Sequence, residues 1–548
     1  MKKRVGQYLM DCISTVGVDK IFGVPGDFNL TFLDDIINRD DMDWVGNTNE
    51  LNASYAADGY SRMKGISAMV TTFGVGELSA INGIAGAYAE RVPIIAITGA
   101  PTREVENAGK YVHHSLGEGR FDDYRKMYKH ITTAQGYITP ENAEEEIPRL
   151  IDAAINEKRP VHLHLPIDVA AEEIEVKAPY RYRKPNTRDV SSYIKMIEEK
   201  LKNAKNPLII AGHEINSFNL HQQLEKFVNQ TQIPVVQLSL GKGAFNEENS
   251  YYMGIYDGEV AEEQIKNYVD KSDVILNIGA KLTDSATAGF SYNFDLENVI
   301  TMNHRNFIIE EIKDSEVNLP DLLKGLLTMN YVSKANYPSY QGYQDNNLDI
   351  NEKPLTQETY FKLIQRFIKK DDVIIADQGT AFFGAYDLTL YEDNKFIGQP
   401  LWGSIGYTLP ATLGTQIANK HRRNVLLIGE GALQLTVQAL STIISEHLKP
   451  VIFIINNDGY TIERKIHGKT APYNNIQMWD YKMLPSIFGA KGNDIKINNV
   501  TTSSKLKKVL NEINDTPNKM HFIEVHMDVN DAPEKLNKVA QAFSNQNS

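Results

Sequence analysis

The chain has a single cysteine, Cys12, in 548 residues, so no internal disulfide can cross-link it. It lacks any apolar run near the roughly 20 residues needed to cross a bilayer as a helix. It lacks a basic excess too: 57 Lys and Arg stand against 70 Asp and Glu, and the net charge of −13 repels nucleic acid and anionic membrane. The start, MKKRVGQYLMDCIS, carries basic residues without the apolar stretch of a secretory signal. A cytoplasmic protein with no nucleic-acid and no membrane partner is expected. Short repeats are missing, which excludes a solenoid.

What is present is enough apolar material for large cores: hydrophobic residues make up 42% of the chain. The length calls for roughly three domains of 150–200 residues. Short, continuous apolar runs recur along the whole chain, among them KIFGVPG (20–26), PIIAITGAP (93–101), PLIIAGHEI (207–215), DVILNIGA (273–280), DVIIADQG (372–379) and PVIFIINNDG (450–459). Continuous rather than alternating runs suit strands buried on both faces of a parallel sheet. Helical patterns between them, such as VQALSTIISEHL (437–448), complete βαβ units. The expected fold class is α/β, with three doubly wound parallel-sheet domains. Two polar segments, 179–189 and 336–354, read as linkers. They bound a first domain at 1–180, a middle one at 190–335 and a third at 355–548.

Ligands of such sheets bind beyond the carboxyl ends of the strands. At one of these ends, in LLIGEGALQLT, Glu430 stands between Gly429 and Gly431. A strand-to-helix turn with a solvent-facing Glu explains this, and so does a carboxylate facing a cation. A second strand end, Asn456-Asn457-Asp458-Gly459, follows 24 residues after Gly431. If the two strands are neighbours, Glu430, the Asn457 side chain and the Gly459 carbonyl form a hard-oxygen set suited to Mg²⁺ or Ca²⁺. A helix starting near Ala432 would aim its N–H groups at an anion, which makes a diphosphate plausible. An ordinary Asn-rich turn is the alternative. In TFGVGELSA (72–80), Gly74-x-Gly76 has no third glycine and is not a dinucleotide fingerprint.

Gly-acid-Gly followed at this spacing by Asn-Asn resembles the thiamine-diphosphate-binding motif. The segments FGVPGDFN, NELNASYAADGY, TTFGVGELSA, VHHSL, GQPLWGSIGY and NNDGYTIER extend the likeness over nearly the whole chain. They resemble those of the bacterial 2-oxo acid decarboxylases, which include pyruvate, indolepyruvate, phenylpyruvate and branched-chain 2-oxo acid decarboxylases. Two positions depart from the pattern: Glu430 stands where the family usually has Asp, and Ala432 where it often has Ser.

The resemblance implies non-oxidative decarboxylation of a 2-oxo acid to an aldehyde and CO₂, through a thiamine diphosphate ylide and an enamine, with Mg²⁺ as second cofactor. It implies that Glu50 bonds a pyrimidine ring nitrogen and that Ile405 bends the cofactor, with Gly403 beside it. Gly429, Gly431, Ala432, Asn457 and Thr380 would contact the cofactor, while Glu430, Asn457 and Gly459 would hold the metal. Asp27, His113 and His114 would relay protons; adjacent histidines cannot both face one side of a strand, so a loop is required. Glu463 would sit buried beside the substrate carboxylate with a raised pKa. Gln378, Phe382, Phe383, Ile462 and Val539, with Thr287 of the middle domain, would line the substrate pocket. None of these is Trp, and Val539 stands where a large aromatic would restrict space, so a bulky substrate is expected: indolepyruvate, phenylpyruvate or a branched-chain 2-oxo acid. In the family the cofactor bridges two subunits, so a homodimer is the expected minimum active unit and a homotetramer the expected assembly. Two rivals are a carboligating enzyme such as an acetohydroxyacid synthase, which typically lacks adjacent histidines, and a binding or regulatory homologue with an impaired metal site.

Overall fold

The computed structural model describes residues 1–344 and 348–546. Residues 345–347, inside the expected linker 336–354, and residues 547–548 of the third expected domain lie outside the described residues. The apolar runs above form strands, and the strands form three large sheets separated along the chain.

The first sheet runs Asp43–Gly46, Lys20–Gly23, Ser67–Thr72, Ile94–Ala100, Val161–Pro166, Ala134–Tyr137, all parallel. The third runs Lys395–Ile397, Val373–Ala376, Asn424–Gly429, Val451–Asn456, Met520–His526, Ile495–Val500, also all parallel. Taken in chain order, both sheets have the arrangement 2-1-3-4-6-5. Chain direction therefore reverses between strands 1 and 3 of each, which opens a crevice at their carboxyl ends.

The middle sheet is not wholly parallel, contrary to expectation. Val299–Asn303, Asn306–Ile309 and Ile312–Asp314 pair antiparallel at its edge. His304 and Arg305 turn the chain in two residues, with Arg305 at φ 59°. Such a hairpin can join only antiparallel strands, whereas a parallel pair needs a long crossover.

The first and third domains meet through two helices, Glu50–Lys64 and Thr408–Ala418. A Cβ on Gly59 would lie 2.2 Å from the Ala411 carbonyl oxygen, and one on Gly414 would lie 1.8 Å from that of Ala56. Backbone thus touches backbone, and only glycine permits it. Tyr407 donates to the Asp58 carboxylate, and the Tyr55 and Ser404 hydroxyls bond at 2.6 Å. One apolar core runs through this junction and unites the two sheets.

Candidate active site

In the third domain Val425–Ile428 are fully buried, and the strand delivers Glu430 to the carboxyl edge of the sheet. The next helix, Glu430–Thr436, begins at Glu430 itself, two residues before the expected start at Ala432. Glu430 is only 1% exposed, which rules out a solvent-facing turn residue. Strands Asn424–Gly429 and Val451–Asn456 are direct neighbours, so the second strand end arrives beside it. The Gly459 N–H donates to Glu430 Oε1 at 2.7 Å. The Gly459 N–H thus ties the second strand end to Glu430. Asp458 and Gly459 are both left-handed (φ 61° and 114°), and a Cβ on Gly459 would strike the Asn474 carbonyl at 2.3 Å. Burial pushes the Glu430 carboxyl up to about 7, against the opposing pull of the Gly459 and Asn457 N–H groups.

Asn457 is buried beside it, and its Nδ2 has no partner. A buried carboxylate beside a buried side-chain amide, whose oxygen can turn toward an ion, is the kind of hard-oxygen pair that suits a divalent cation, and a cation's charge would reverse the penalty on the carboxylate. A Cβ added to Gly429 or Gly403 would meet no atom within 4 Å, so both loops face open space. A Cβ on Gly431 would press on the Tyr460 ring. Ala432 and Thr380 are buried, Thr380 opening the helix Thr380–Ala385.

The loop of Gly403 and Ile405 is held by a residue the sequence reading passed over. Asp377, fully buried at the end of strand Val373–Ala376, accepts from the Gly406 and Thr408 N–H groups at 3.1 and 3.2 Å. The Thr408 hydroxyl donates to it at 2.6 Å. Burial raises this carboxyl to about 6. Ile405 is half-buried against the shared core.

In the first domain Glu50 follows the strand Asp43–Gly46 by a short turn. It is the first residue of helix Glu50–Lys64, whose N-cap Asn49 accepts from the Asn52 N–H at 2.7 Å. Burial raises the Glu50 carboxyl above its ordinary value. The glycines of TFGVGELSA have their explanation here. A Cβ on Gly76 would lie 3.0 Å from Glu50 Oε1, and one on Gly74 (φ 65°) would lie 1.9 Å from the His114 carbonyl oxygen. Gly76 clears space for the carboxylate, and Gly74 admits the histidine loop.

That loop carries both histidines, and His114 is left-handed at φ 64°. The Tyr124 hydroxyl pins the His114 carbonyl at 3.0 Å. His113 Nε2 and Asp27 Oδ2 share a hydrogen bond of 2.7 Å. Phe28 stacks on His113 at 4.9 Å and meets His114 edge-on at 5.9 Å. One ligand atom each of Asp27, His113 and His114 lies within 4.8 Å of the others. Asp27 and His113 are exposed, while the His114 Nδ1 is buried without a partner.

Glu463 departs from expectation: on helix Thr461–Ile466 it is exposed, and the single chain gives it no burial. Its neighbour Ile462 takes the apolar side of this short helix instead. Ile462, Phe382, Phe383 and Val539 share one apolar cluster, in which the C-terminal helix Glu534–Gln546 packs on helices Thr380–Ala385 and Thr461–Ile466. That cluster also holds Phe543, one turn beyond Val539, so the same helix brings a large aromatic to it. Gln378 is half-buried with an unpartnered Oε1. Thr287 is buried, its hydroxyl donating to the Thr283 carbonyl at 2.7 Å, and the adjacent Ala288 joins the apolar cluster.

Among the described residues, none of Asp27, Glu50, His113 and His114 makes a hydrogen bond, ion pair or ring contact with Glu430, Asn457, Gly459 or Glu463. Within one chain the two groups make no direct contact with each other.

Two sheets of matching strand order frame this region, one carrying Glu50 and the Asp27, His113 and His114 cluster, the other the buried Glu430. Three family models match: "Thiamine pyrophosphate enzyme, N-terminal TPP binding domain" at residues 3–123, the central domain at 194–320, and the C-terminal TPP binding domain at 377–525. Pyruvate decarboxylase isozyme 3 of Saccharomyces cerevisiae is 38% identical, covering 98% of each chain. Alpha-keto-acid decarboxylase of Mycobacterium tuberculosis is 39% identical over 88% of each. An X-ray structure from Mycobacterium smegmatis, described as a thiamin diphosphate-dependent enzyme, shares the fold with a TM-score of 0.79 at 19% identity, covering 96% of this chain and 100% of that one. The chain belongs to the family of thiamine diphosphate-dependent 2-oxo acid decarboxylases.

Proposed function

We propose that this decarboxylase acts on a 2-oxo acid with a bulky apolar side chain, such as indolepyruvate, phenylpyruvate or a branched-chain 2-oxo acid, and that it requires Mg²⁺. The observation behind the substrate is the apolar cluster of Phe382, Phe383, Ile462, Val539 and Phe543, free of tryptophan. Thiamine diphosphate supplies the electron sink for the charge left when CO₂ departs. Glu50, whose carboxyl burial raises above its ordinary value, holds a ring nitrogen of the cofactor. Glu430 and Asn457, with Gly459, hold Mg²⁺ and through it the diphosphate. Gly429, Gly431, Ala432 and Thr380 flank that end, while Gly403 and Ile405, fixed by Asp377, position the ring. The Asp27–His113 pair and His114 move the proton that completes the aldehyde. Glu463 faces the substrate carboxylate.

A site assembled from two copies of the chain is part of this reading. The half-sites do not touch within one chain, and exposed apolar side chains flank both: Val75 and Leu116 beside the first, Trp402, Leu435 and Trp479 beside the second. Such a surface supports an interface between copies, with a homodimer as the active unit and a homotetramer as the assembly. Residues 1–180, 190–335 and 355–548 then serve as pyrimidine-binding, structural and diphosphate-binding domains. No helix among the described residues is long and apolar enough to cross a membrane, and Cys12 is a buried free thiol; a cytoplasmic location goes with this reading.

The test is a comparison of kcat/KM for pyruvate, a branched-chain 2-oxo acid and indolepyruvate, with Mg²⁺ and cofactor present and aldehyde measured by a coupled alcohol dehydrogenase. Preference for the bulkier acids is expected. A clear preference for pyruvate contradicts the substrate assignment, and an acetohydroxy acid as main product contradicts the aldehyde.

A further inference from the structure

The C-terminal helix lays Val539 and Phe543 over the apolar cluster that the proposed substrate pocket uses. Something must hold that helix in place, and part of the hold comes from another domain. Lys535, one turn before Val539, puts its Nζ 2.9 Å from Asp257 Oδ2 of the middle domain, with side chains 11% and 2% exposed. The same Asp257 oxygen accepts from the Tyr386 hydroxyl at 2.9 Å. Tyr386 caps helix Thr380–Ala385, which carries Phe382 and Phe383. Asp387 lies 3.6 Å from the ammonium on its more open side. Asp257 itself sits where the middle domain enters the cluster, between Ile255 and Val260. The adjoining Gly258 (φ 69°) lets its segment close on Thr287: a Cβ there would lie 2.5 Å from the Thr287 carbonyl oxygen.

We propose that Asp257 and Lys535 form a latch by which the middle domain, given no ligand in the reading above, positions the C-terminal helix as the wall of the substrate pocket. Both are positioning residues, and neither touches substrate. A single buried carboxylate grips two elements at once, the C-terminal helix through Lys535 and the Phe382–Phe383 helix through Tyr386. Removing the cation leaves a buried carboxylate with only a phenol to face, so the helix loses its reason to stay docked at that end. The latch would therefore act on substrate binding rather than on the chemical step. The helix link stands on geometry alone; its effect on substrate rests on the pocket assigned above.

The experiment combines amide hydrogen exchange with steady-state kinetics on the full-length holoenzyme, for Lys535→Met, Asp257→Asn, the double variant and Lys535→Arg. In Lys535→Met, amides of residues 534–546 are expected to exchange about tenfold faster while the strands of the first sheet keep their protection. KM for indolepyruvate is expected to rise roughly tenfold with kcat within about twofold. Lys535→Arg should keep both values near the parent. The double variant, which removes the ammonium together with the buried Asp257 carboxylate, should recover part of the loss, and it keeps the test open if a single variant folds poorly. Unchanged exchange in Lys535→Met overturns the latch whatever the substrate. Faster exchange with unchanged KM for every 2-oxo acid overturns the proposal through the pocket reading on which it rests.

Discussion

The first and third domains share one strand order and one kind of crevice, yet they are furnished in opposite ways. The first presents an exposed Asp27–His113 pair on a loop, ready to exchange protons with whatever enters. The third buries its acids: Glu430 and Asp377 are at most 1% exposed and both are raised, to about 7 and about 6. Exposure suits groups that must cycle between protonation states, whereas burial suits groups that hold a cation or a loop at fixed geometry. Under the proposed function, the same scaffold would serve proton traffic at one end of a cofactor and anchoring at the other. The difference lies in the loops after strands 1 to 4, not in the sheets.

The sharpest way to break this contrast is at the carboxylate unique to each half. Glu50→Gln is expected to lower kcat by about 10³-fold with Mg²⁺ affinity unchanged, read by steady-state kinetics and by calorimetry. Glu430→Gln should do the reverse: Mg²⁺-dependent retention of cofactor on gel filtration weakens by at least about 100-fold, because the amide cannot balance a cation's charge. If Glu50→Gln were the one to release the metal, the division of labour would be wrong. Next in size is His113→Phe, which removes the partner of Asp27; kcat should fall about 100-fold while cofactor affinity stays put. Gly76→Ala, whose new methyl would sit 3.0 Å from Glu50 Oε1, should cost about tenfold in kcat by displacing the carboxylate.

The smallest effect sharpens the comparison by pH. Asp377 has its folded-state pKa raised from 3.8 to about 6, so the folded chain holds a proton that the unfolded chain has released. Its contribution to stability is full below 3.8 and is lost as pH rises through about 6. At about 1.4 kcal/mol per pH unit, the parent should lose roughly 3 kcal/mol relative to Asp377→Asn across that window. Denaturant midpoints of the two proteins, followed against pH, check this; parallel curves would remove Asp377 from the account.

Most of the fold was readable because buried parallel strands announce themselves as continuous apolar runs, and those quoted above all became strands. The antiparallel edge of the middle sheet was not, since Asn306–Ile309 and Ile312–Asp314 are short and half-exposed and no turn pair such as Asn-Gly marks the hairpin. At the site, side chains carrying charge were legible from motif and spacing, while the groups that make room for them were not. Gly74 and Gly76 stood in plain sight, but their purpose is set by His114 and Glu50, distant in sequence. Asp377 ended a quoted strand and passed unnoticed, because its partners lie about 30 residues on. Glu463 shows the opposite limit: the burial expected for it is a property the single chain does not supply.

The claim that a working site needs the first domain of one copy and the third of another is tested most directly by mixing. Glu50→Gln and Glu430→Gln chains, each inactive alone, are co-expressed, and decarboxylation is measured on the purified mixture. A dimer pairing the two variants would hold one doubly defective site and one intact site, so random association should restore about a quarter of the parent activity. Activity no higher than that of either variant alone would mean that each chain builds its site by itself, and would contradict the account.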